Sequence, residues 1–463
     1  MSEYQWRAVA AAATLLAYAA MCSAIFWRLR RRRRQDAATA AALAGDGDRP
    51  ATLVLHASQT GQALALAWQT AGWLAEGGEP VRVLPLNAVG ADDLRQARRA
   101  LFIASTYGEG DPPDGASVFA ESVMDSAHAD AWPALHYAVL ALGDRQYRHF
   151  CGFGRRLDDW LAARGAQPER ARIEVDNADP AALAQWRQLV RRSPGGPDDA
   201  TPETSAASAS PKLAWRLAAR ELLNAGSAGA PVFLLSLVPR AGDSLPEWRS
   251  GDLARLHLQA DPGRPRDYSI ASLPAEGSLQ LMVRQERHPD GQLGAASGLL
   301  GTLLPIGGEV QLQLRPHHGF RLQGNDDRPL VLIGNGTGLA GLRSHLRHCA
   351  ASGRHGHWLM FGERNAQHDR LLGSEIDGWL QAGVLARMDW VFSRDQEERR
   401  YVQHRLLTAG DELLRWLERG AAIYVCGSLQ GMAQGVDAAL RQIAGDDLVR
   451  ELLRSGRYRR DVY

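Results

Sequence analysis

The chain has 463 residues, of which 45% are hydrophobic and 23% are charged, so it can bury more than one core and is not a disordered protein. Its formal net charge of +1 excludes the global positive field typical of nucleic-acid-binding proteins. Its four cysteines are scattered without a CxxC pair, so we expect neither a disulfide framework nor a metal site.

The N-terminal segment predicts a membrane anchor. Val9 to Trp27 carries no charged residue, and as a helix it would span roughly 29 Å, about one hydrocarbon core. The arginine-rich run from Arg28 to Arg34 follows it, which by the positive-inside rule leaves the rest of the chain in the cytoplasm. We therefore expect a single-pass protein of the inner (cell) membrane that contacts the lipid bilayer through residues 1–27, with residues 28–50 as a tether. An interfacial helix or a nucleic-acid-binding arginine arm is the alternative.

Residues 51–192 show the pattern of an α/β domain. The first buried strand is ATLVLHAS at Ala51 to Ser58, and short apolar strands then alternate with helical segments up to a helix at Phe153 to Ala163. This alternation predicts a doubly wound parallel sheet. The segment from Ser193 to Pro211 is dense in Pro, Gly, Ser and Asp and has no bulky apolar residue, so it is predicted to be a flexible linker.

Two further patterns follow the linker. Residues 212–328 contain the segments ARELLNAG, PVFLLSLVPR, GDLARLHLQ and GSLQLMVRQE, which are typical of antiparallel strands in a small barrel. From residue 329 to residue 463 the βα alternation returns, and four strands end in polar or glycine-containing turns, where open α/β sheets bind ligands. The predicted fold class is α/β plus β-barrel, preceded by the transmembrane helix. Four histidines near Cys349 are predicted to lie on a solvated surface: His345, His348, His355 and His357.

The first domain carries a pattern suited to a flavin mononucleotide. SQTGQA, from Ser58 to Ala63, follows a strand and opens a helix, so its hydroxyls and backbone N–H groups can wrap a monophosphate; an ordinary helix cap is the alternative. STYGEGDPPDG and LGDRQYRHF then place Tyr107 and Tyr147 beside glycine turns, where two aromatic rings can sandwich an isoalloxazine. Three carboxylates form either an acidic rim or ordinary turn residues: Glu109, Asp111 and Asp114.

The segment RDYSIAS suits a flavin with a pyrophosphate. Arg266 stands two residues before Tyr268, so strand alternation turns both to one face, the guanidinium toward a pyrophosphate and the phenol toward a flavin. GAASGLL, which begins at Gly294, offers small residues and Ser297 at a predicted helix start as a second pyrophosphate cradle. A barrel strand and a helix cap without a ligand are the alternative.

The last domain carries a nucleotide pattern. GNGTGLAG, from Gly334 to Gly341, is a glycine-rich strand-to-helix turn, which by itself could reflect tight packing alone. The later segments SRD and RRYVQ supply cations, a phenol and an amide where a 2′-phosphate could be bound, which favours NADPH over NADH. YVCGS brings Cys426 to a strand end, where the residue alone would be an ordinary buried thiol.

Taken in order, these motifs resemble a known family. SQTG, STYGEGDPPDG and LGDRQYRHFCGFG resemble the flavodoxin-like FMN domain of diflavin reductases, and RDYSIAS with GAASGLL resembles the FAD site of the ferredoxin reductase family. The closing residues RYRRDVY are especially similar to the flavoprotein component of sulfite reductase. The resemblance covers Ala51 to Tyr463 and implies a flavodoxin-like FMN domain, a ferredoxin-reductase-like FAD barrel and an NADP-binding domain.

The resemblance also implies the site residues. FMN contacts are expected at Ser58, Gln59, Thr60, Gly61, Gln62, Ala63, Thr106, Tyr107, Gly108, Glu109, Gly110, Gly143, Asp144, Tyr147 and Asp176. FAD contacts are expected at Arg266, Tyr268, Ser269, Gly294, Ala295, Ala296, Ser297 and Tyr463. NADPH contacts are expected at Gly336, Thr337, Gly338, Ser393, Arg394, Arg399, Tyr401, Gln403, Cys426 and Gly427. The catalytic residues beside the nicotinamide are expected to be Ser269, Cys426 and Asp461.

The chain departs from the family pattern at two places. The large helical connecting insertion between the linker and Arg266 is absent, which bears on how the two flavins dock. In the nucleotide site, Asn335 and Gly341 stand where prolines are usual, and Ser428 stands where an aspartate is usual, which bears on cofactor preference.

These expectations define an NADPH-dependent diflavin oxidoreductase that passes electrons from NADPH to FAD, then to FMN, then to a one-electron acceptor. A nicotinamide gives two electrons together as hydride, and two flavins in series can deliver them singly. The expected acceptor is a hemoprotein; a ferric siderophore or other ferric chelate at the membrane, or a sulfite reductase partner, is the alternative. A flavin-binding redox sensor or scaffold is the alternative of another class. No nucleic-acid partner is expected.

Overall fold

The computed structural model of the protein describes most of the chain beyond its N-terminal segment. The described residues are 50–58, 62–108, 110–126, 131–145, 149–176, 179–191, 211–258, 261 and 265–463. The predicted anchor from Val9 to Trp27, residues 28–49 of the tether and residues 193–210 of the linker lie outside them.

The expected membrane localisation is corrected. In the described part of the chain no helix is long and apolar enough to span a bilayer. The long helix from Gln62 to Glu76 has 15 residues and therefore measures about 22 Å, short of a hydrocarbon core of about 30 Å. On this finding the predicted localisation in the inner membrane is not retained.

The first sheet is parallel and has six strands. They are β1 (Thr52–Ala57), β2 (Val81–Pro85), β3 (Arg99–Ser105), β4 (His136–Gly143), β5 (Gln167–Pro168) and β6 (Ile173–Asp176). The order is β2-β1-β3-β4-β5, and β6 also pairs with β4. The chain order thus reverses beside β1, and the carboxyl ends of β1 and β3 flank the crevice in which such sheets bind ligands.

Helices cover both faces of this sheet. They are α1 (Gln62–Glu76), α2 (Ala91–Gln96), α3 (Asp114–Phe119), α4 (Gly152–Ala163) and α5 (Pro180–Arg191). Leu53 and Leu55 of β1 join one buried cluster, and Val54 between them joins another on the opposite face. Both faces of the strands are therefore apolar, which explains their nearly continuous hydrophobic runs.

The second sheet is antiparallel and closes on itself. Its strands are β7 (Lys212–Leu222), β8 (Val232–Pro239), β9 (Leu253–His257), β10 (Arg266–Ser269), β11 (Leu279–Arg284) and β12 (Glu309–Arg315). The order is β10-β9-β12-β7-β8-β11, and a bridge between Ile270 and Leu281 joins the two edges. The strand expected in ARELLNAG begins earlier and ends at Leu222, because the Asn224 side chain accepts the Val232 N–H at 2.8 Å and forms the turn into β8. A short helix, α6 (Ala295–Gly298), lies between β11 and β12.

The third sheet is parallel and has five strands. They are β13 (Leu330–Asn335), β14 (His357–Glu363), β15 (Leu385–Phe392), β16 (Ala422–Gly427) and β17 (Tyr458–Val462), in the order β15-β14-β13-β16-β17. Its helices are α7 (Leu339–Ala351), α8 (Gly373–Gln381), α9 (Val402–Thr408), α10 (Gly410–Glu418), α11 (Gln434–Ala444) and α12 (Asp446–Arg454). The order reverses between β13 and β16, so the ends of these two strands flank a second ligand crevice.

The histidines expected on a solvated surface divide in two. His345 and His357 are buried, at 0% and 1% exposure. His345 lies on the inner face of α7 with its ring 5.0 Å from that of Phe320, and the Nδ1 atom of His357 accepts the Leu330 N–H at 3.2 Å. The prediction was wrong for these two, because their burial depends on long-range packing that a local histidine pattern does not show.

Candidate functional site

One cavity of about 930 Å³ lies where the three sheets meet. Its walls come from the ends of β3 and β4, from β10 and α6, and from the turn after β13 together with β17. The expected site residues that line it are Gln62, Thr106, Tyr107, Gly108, Gly143, Asp144, Arg266, Tyr268, Ser269, Gly294, Ala295, Ala296, Ser297, Gly336, Thr337, Asp461 and Tyr463. The structure thus brings residues of all three predicted cofactor sites to one space.

The wall formed by the first sheet suits a flavin mononucleotide. The Thr106 hydroxyl is buried at the end of β3 and has no hydrogen-bond partner among the described residues, so it can bond to a ligand. Gly108 has φ +50°, and a Cβ at Gly143 would meet the Cys151 nitrogen at 2.8 Å, so both turns require glycine. The Ser58 hydroxyl accepts the Ala63 N–H at 3.3 Å, as a residue that opens α1 should.

Other expected FMN residues stand apart from the cavity. Asp176, at the end of β6, accepts the Arg145 N–H at 3.1 Å and so braces the loop that follows β4. Gly110 does not line the cavity; its φ is +109°, and it lies against His149 and Gly152. Five expected residues lie outside the described residues: Gln59, Thr60, Gly61, Glu109 and Tyr147.

Tyr107 lies both in the cavity wall and in a contact between the first and third sheets. It is 9% exposed, and its hydroxyl donates to the Val462 carbonyl at 2.9 Å. Burial raises the pKa of this phenol well above its ordinary value. Asp114 forms an ion pair with Arg460 of β17, so this carboxylate of the expected acidic rim also belongs to that contact.

The wall formed by the second sheet suits a pyrophosphate beside a flavin ring. Arg266 and Tyr268 are half-buried on β10, and both line the cavity. The Ser297 hydroxyl accepts the Glu286 N–H at 3.0 Å, which fixes the turn before α6. A Cβ at Gly294 would meet the same hydroxyl at 2.8 Å, so a larger residue there would displace the side chain that fixes this turn.

The side chains of Ser269 and Cys426 both contact the carboxylate of Asp461. The Ser269 hydroxyl donates to Oδ2 of Asp461 at 2.7 Å, and the Cys426 sulfur lies 3.7 Å from the same oxygen. Cys426 and Asp461 are register partners in β16 and β17, whereas Ser269 comes from β10. Cys426 is fully buried, and burial, followed by the negative charge of Asp461, raises the pKa of its thiol well above the ordinary value. The group therefore offers a hydroxyl, a carboxylate and a neutral thiol.

His317, which no sequence motif indicated as a site residue, joins this group. His317 is 1% exposed, lines the cavity and places its Nδ1 atom 3.8 Å from Oδ1 of Asp461. The motif PHHGF after β12 was the available signal, but nothing in it distinguishes a buried histidine from a turn residue.

The turn after β13 is a tight nucleotide-type loop. Gly336 has φ +58°, and a Cβ at Gly338 would lie 2.1 Å from the Cys426 carbonyl oxygen, so glycine is required at both positions. Two of the three unusual residues of the site bond to each other, since Oδ1 of Asn335 accepts the Ser428 N–H at 2.9 Å. Gly341 brings α7 close to Cys426, because a Cβ there would lie 3.2 Å from the sulfur. Gly338, Cys426 and Gly427 thus lie behind the cavity wall rather than in it.

The residues expected at a 2′-phosphate lie apart from the cavity lining, beyond β15 and at the start of α9. Ser393 is buried, and its N–H donates to the Glu363 carbonyl at 2.9 Å. Arg394 and Arg399 are exposed cations, and Tyr401 is 39% exposed. Gln403 packs against Gly435, and its Oε1 atom has no partner in the described part of the chain. An exposed pair of arginines beside a phenol suits a phosphate that is reached from solvent.

Comparisons with known proteins agree with the two parallel sheets. The family model described as Flavodoxin matches residues 54–186, and the one described as Oxidoreductase NAD-binding domain matches residues 332–438. Together with the curated relatives, these matches support the diflavin reductase family.

Several curated relatives align along nearly the whole chain. One is the sulfite reductase [NADPH] flavoprotein alpha-component of Bacillus subtilis, 26% identical over 92% of each chain. The proteins of the same name from Yersinia enterocolitica and Salmonella typhi are each 28% identical, over 89% and 91% of both chains respectively.

Proposed function

We propose that the protein is an NADPH-dependent diflavin oxidoreductase that passes electrons from NADPH through FAD and FMN to a one-electron acceptor protein. The observation that carries this proposal is the shared cavity, which joins a flavodoxin-type crevice, a pyrophosphate cradle and the group of Ser269, Cys426 and Asp461. When bound, the three cofactors supply the conversion of a two-electron donor into single-electron steps.

The FMN would be held by the loops that follow β1, β3 and β4. The unpartnered Thr106 hydroxyl and the glycine turns at Gly108 and Gly143 fit a planar ring that approaches the backbone closely. Asp176 would act indirectly, by holding the loop at Arg145 in place.

The FAD would be held by β10 and the turn before α6. The Arg266 guanidinium would pair with the pyrophosphate, and the Tyr268 ring would pack on the flavin. Tyr463 would cover the other side of the ring from the chain terminus. It is 55% exposed, and its hydroxyl lies 3.0 Å from that of Thr337, so it can move aside when the nicotinamide enters.

NADPH would enter over the glycine turn that precedes α7. Ser269 would donate a hydrogen bond near the nicotinamide, Asp461 would orient that hydroxyl, and Cys426 would pack as a neutral thiol. Ser393, Arg394, Arg399, Tyr401 and Gln403 would bind the 2′-phosphate, which gives the preference for NADPH.

The acceptor we propose is the hemoprotein partner of a sulfite reductase. The curated relatives are named as flavoprotein alpha-components of that enzyme. Their names support this acceptor over an unspecified hemoprotein, which was expected from the sequence, and over a ferric chelate. Purified hemoprotein component and ferric citrate, each supplied in turn with NADPH, distinguish these acceptors. Faster turnover with ferric citrate than with the hemoprotein would contradict the proposal.

The decisive test is a flavin analysis followed by an anaerobic titration with NADPH. We expect the purified chain to release FAD and FMN in equal amounts and NADPH to bleach the flavin absorbance. FAD without FMN, or no bleaching by NADPH, would overturn the proposed function. Bound flavins that NADPH does not reduce would instead favour a redox sensor.

A further inference from the structure

His317 is a buried imidazole beside the proposed catalytic group, which is formed by Ser269, Cys426 and Asp461. Neither of its ring nitrogens has a hydrogen-bond partner among the described residues, although the side chain is 1% exposed. A buried polar atom without a partner destabilises the folded state, so a fold retains one where it serves a purpose or finds its partner in another state. His317 lines the cavity, so its unpartnered nitrogens lie at the proposed site.

The position of His317 is fixed from behind. Its backbone N–H donates to Oδ1 of Asp252 at 2.9 Å, and the Arg321 guanidinium holds both oxygens of that carboxylate, at 2.6 and 2.7 Å. Its ring stacks on Phe320 with centroids 5.9 Å apart and planes inclined by 24°. The imidazole is therefore placed by an ion pair and a stacked ring, and not by the cavity itself.

An acceptor within reach of this imidazole is the Asp461 carboxylate. Nδ1 of His317 lies 3.8 Å from Oδ1 of Asp461, while the other oxygen, Oδ2, accepts the Ser269 hydroxyl and lies near the Cys426 thiol. The gap exceeds a hydrogen bond by less than 1 Å, which a small rotation of either side chain closes. Catalytic hydrogen bonds are often this long before the ligand is bound.

We propose that His317 is a positioning residue for Asp461: its Nδ1–H donates to Oδ1 and so holds the carboxylate with Oδ2 turned toward Ser269. The inference rests on the proposed function, in which Ser269 and Asp461 lie beside the nicotinamide. His317 acts through Asp461 and touches no reacting atom. Without it, the carboxylate rotates and the Ser269 hydroxyl loses its fixed direction.

The kinetic test compares two variants of His317 in the full holoenzyme. His317→Leu keeps the volume and removes the donor, so we expect the rate of flavin reduction by saturating NADPH to fall about tenfold to a hundredfold, with KM for NADPH changed less than threefold. His317→Asn places an amide donor near the position of Nδ1 and should restore the rate to within about threefold of the wild type. Equal losses in both variants, or no loss in His317→Leu, would overturn the proposal.

The matched control is the adjacent histidine. His318 is exposed and does not line the cavity, so His318→Leu should leave the rate unchanged. FAD and FMN content is measured in every variant, because loss of flavin would indicate a folding defect; in that case the spectroscopic test alone decides.

The spectroscopic test needs no turnover. In the oxidised holoenzyme labelled with ¹⁵N-histidine, the resonance assigned through His317→Asn should show a proton on Nδ1, and Asp461→Asn should change that pattern. A neutral ring protonated on Nε2 alone would contradict the proposal. If NADPH reduced no flavin in the wild type, the proposed function would fail while this measurement still reported the contact.

Discussion

At the scale of single residues, Cys426 differs from an ordinary buried thiol in what it contacts. Its sulfur lies 3.7 Å from a carboxylate oxygen of Asp461. Burial raises the pKa of the thiol well above its ordinary value, so the thiol stays protonated. Cys426→Ala removes one sulfur atom without adding charge. We expect flavin reduction by NADPH to slow by about tenfold or more while both flavins stay bound, as measured by anaerobic stopped-flow absorbance.

The matching control for Cys426 is Cys349, which is also fully buried but lies outside the cavity. Cys349→Ala should cost stability by a similar small cavity and leave the reduction rate unchanged. Because the Cys426 thiol stays neutral, its ionisation should not appear in the pH profile of the wild type below pH 9. A normal rate in Cys426→Ala would remove this residue from the proposed catalytic group.

His357 gives a residue-scale prediction for stability. Burial lowers the pKa of His357 to about 4 from an ordinary value of 6.5, so the folded state holds it neutral while the unfolded chain protonates. Its contribution is therefore complete above pH 6.5 and is lost as the pH falls toward 4. From pH 7.5 to pH 5 the wild type should lose about 2 kcal/mol through this group.

The measurement is urea unfolding at both pH values. His357→Asn keeps an acceptor for the Leu330 N–H and cannot titrate, so its loss of stability between pH 7.5 and pH 5 should be smaller by that amount. His355 is exposed and two residues away, and His355→Asn should behave like the wild type. An acid loss that is equal in His357→Asn and the wild type would contradict the assignment.

At the scale of elements, the turn between β13 and α7 is held against the end of β16. A Cβ at Gly338 would lie 2.1 Å from the Cys426 carbonyl oxygen, which is backbone and cannot turn away. Gly338→Ala must therefore displace the turn or the strand end. We expect the affinity for NADP⁺, measured by calorimetry, to fall by about tenfold or more while the flavin content is unchanged.

Gly378 provides the contrast within the same sheet unit. It lies in α8, and a Cβ there would have no heavy atom within 4 Å. Gly378→Ala should stabilise the protein by about 0.5–1 kcal/mol and leave NADP⁺ binding unchanged. Similar affinities in Gly338→Ala and Gly378→Ala would show that the turn does not form the nucleotide site.

At the scale of the whole molecule, the contact between the first and third sheets includes several ion pairs. Glu121 pairs with Arg441 at 2.7 Å and with Arg450 at 3.4 Å, and Asp114 pairs with Arg460. These pairs are partly exposed, so each contributes on the order of 1 kcal/mol or less and weakens with salt. These ion pairs can therefore open and re-form, as the proposed transfer of electrons from FMN to an acceptor requires.

Glu121→Gln should raise the population of molecules in which the contact between the first and third sheets is open by up to about fivefold. Small-angle scattering should report a larger radius of gyration, with a smaller further increase in 0.5 M salt than the wild type shows. The control is Glu76→Gln, because Glu76 pairs with Arg191 at 3.5 Å and both residues lie on helices that cover the first sheet. A salt response in Glu121→Gln equal to that of the wild type would show that this network does not hold the units together.

Local patterns in the chain were enough to predict the two parallel sheets. Buried strands, the glycine turns that follow them and the helix N-termini suited to phosphate each depend on residues within a few positions of one another. The resemblance to the diflavin reductase family was predicted from the same motifs in their order along the chain. The meeting of Ser269 with Asp461, 192 positions later, and of Glu121 with Arg441, 320 positions later, depends instead on how the sheets pack. The burial of His317 and its approach to Asp461 arise in the same way, because burial is set by distant neighbours and not by adjacent residues in the chain.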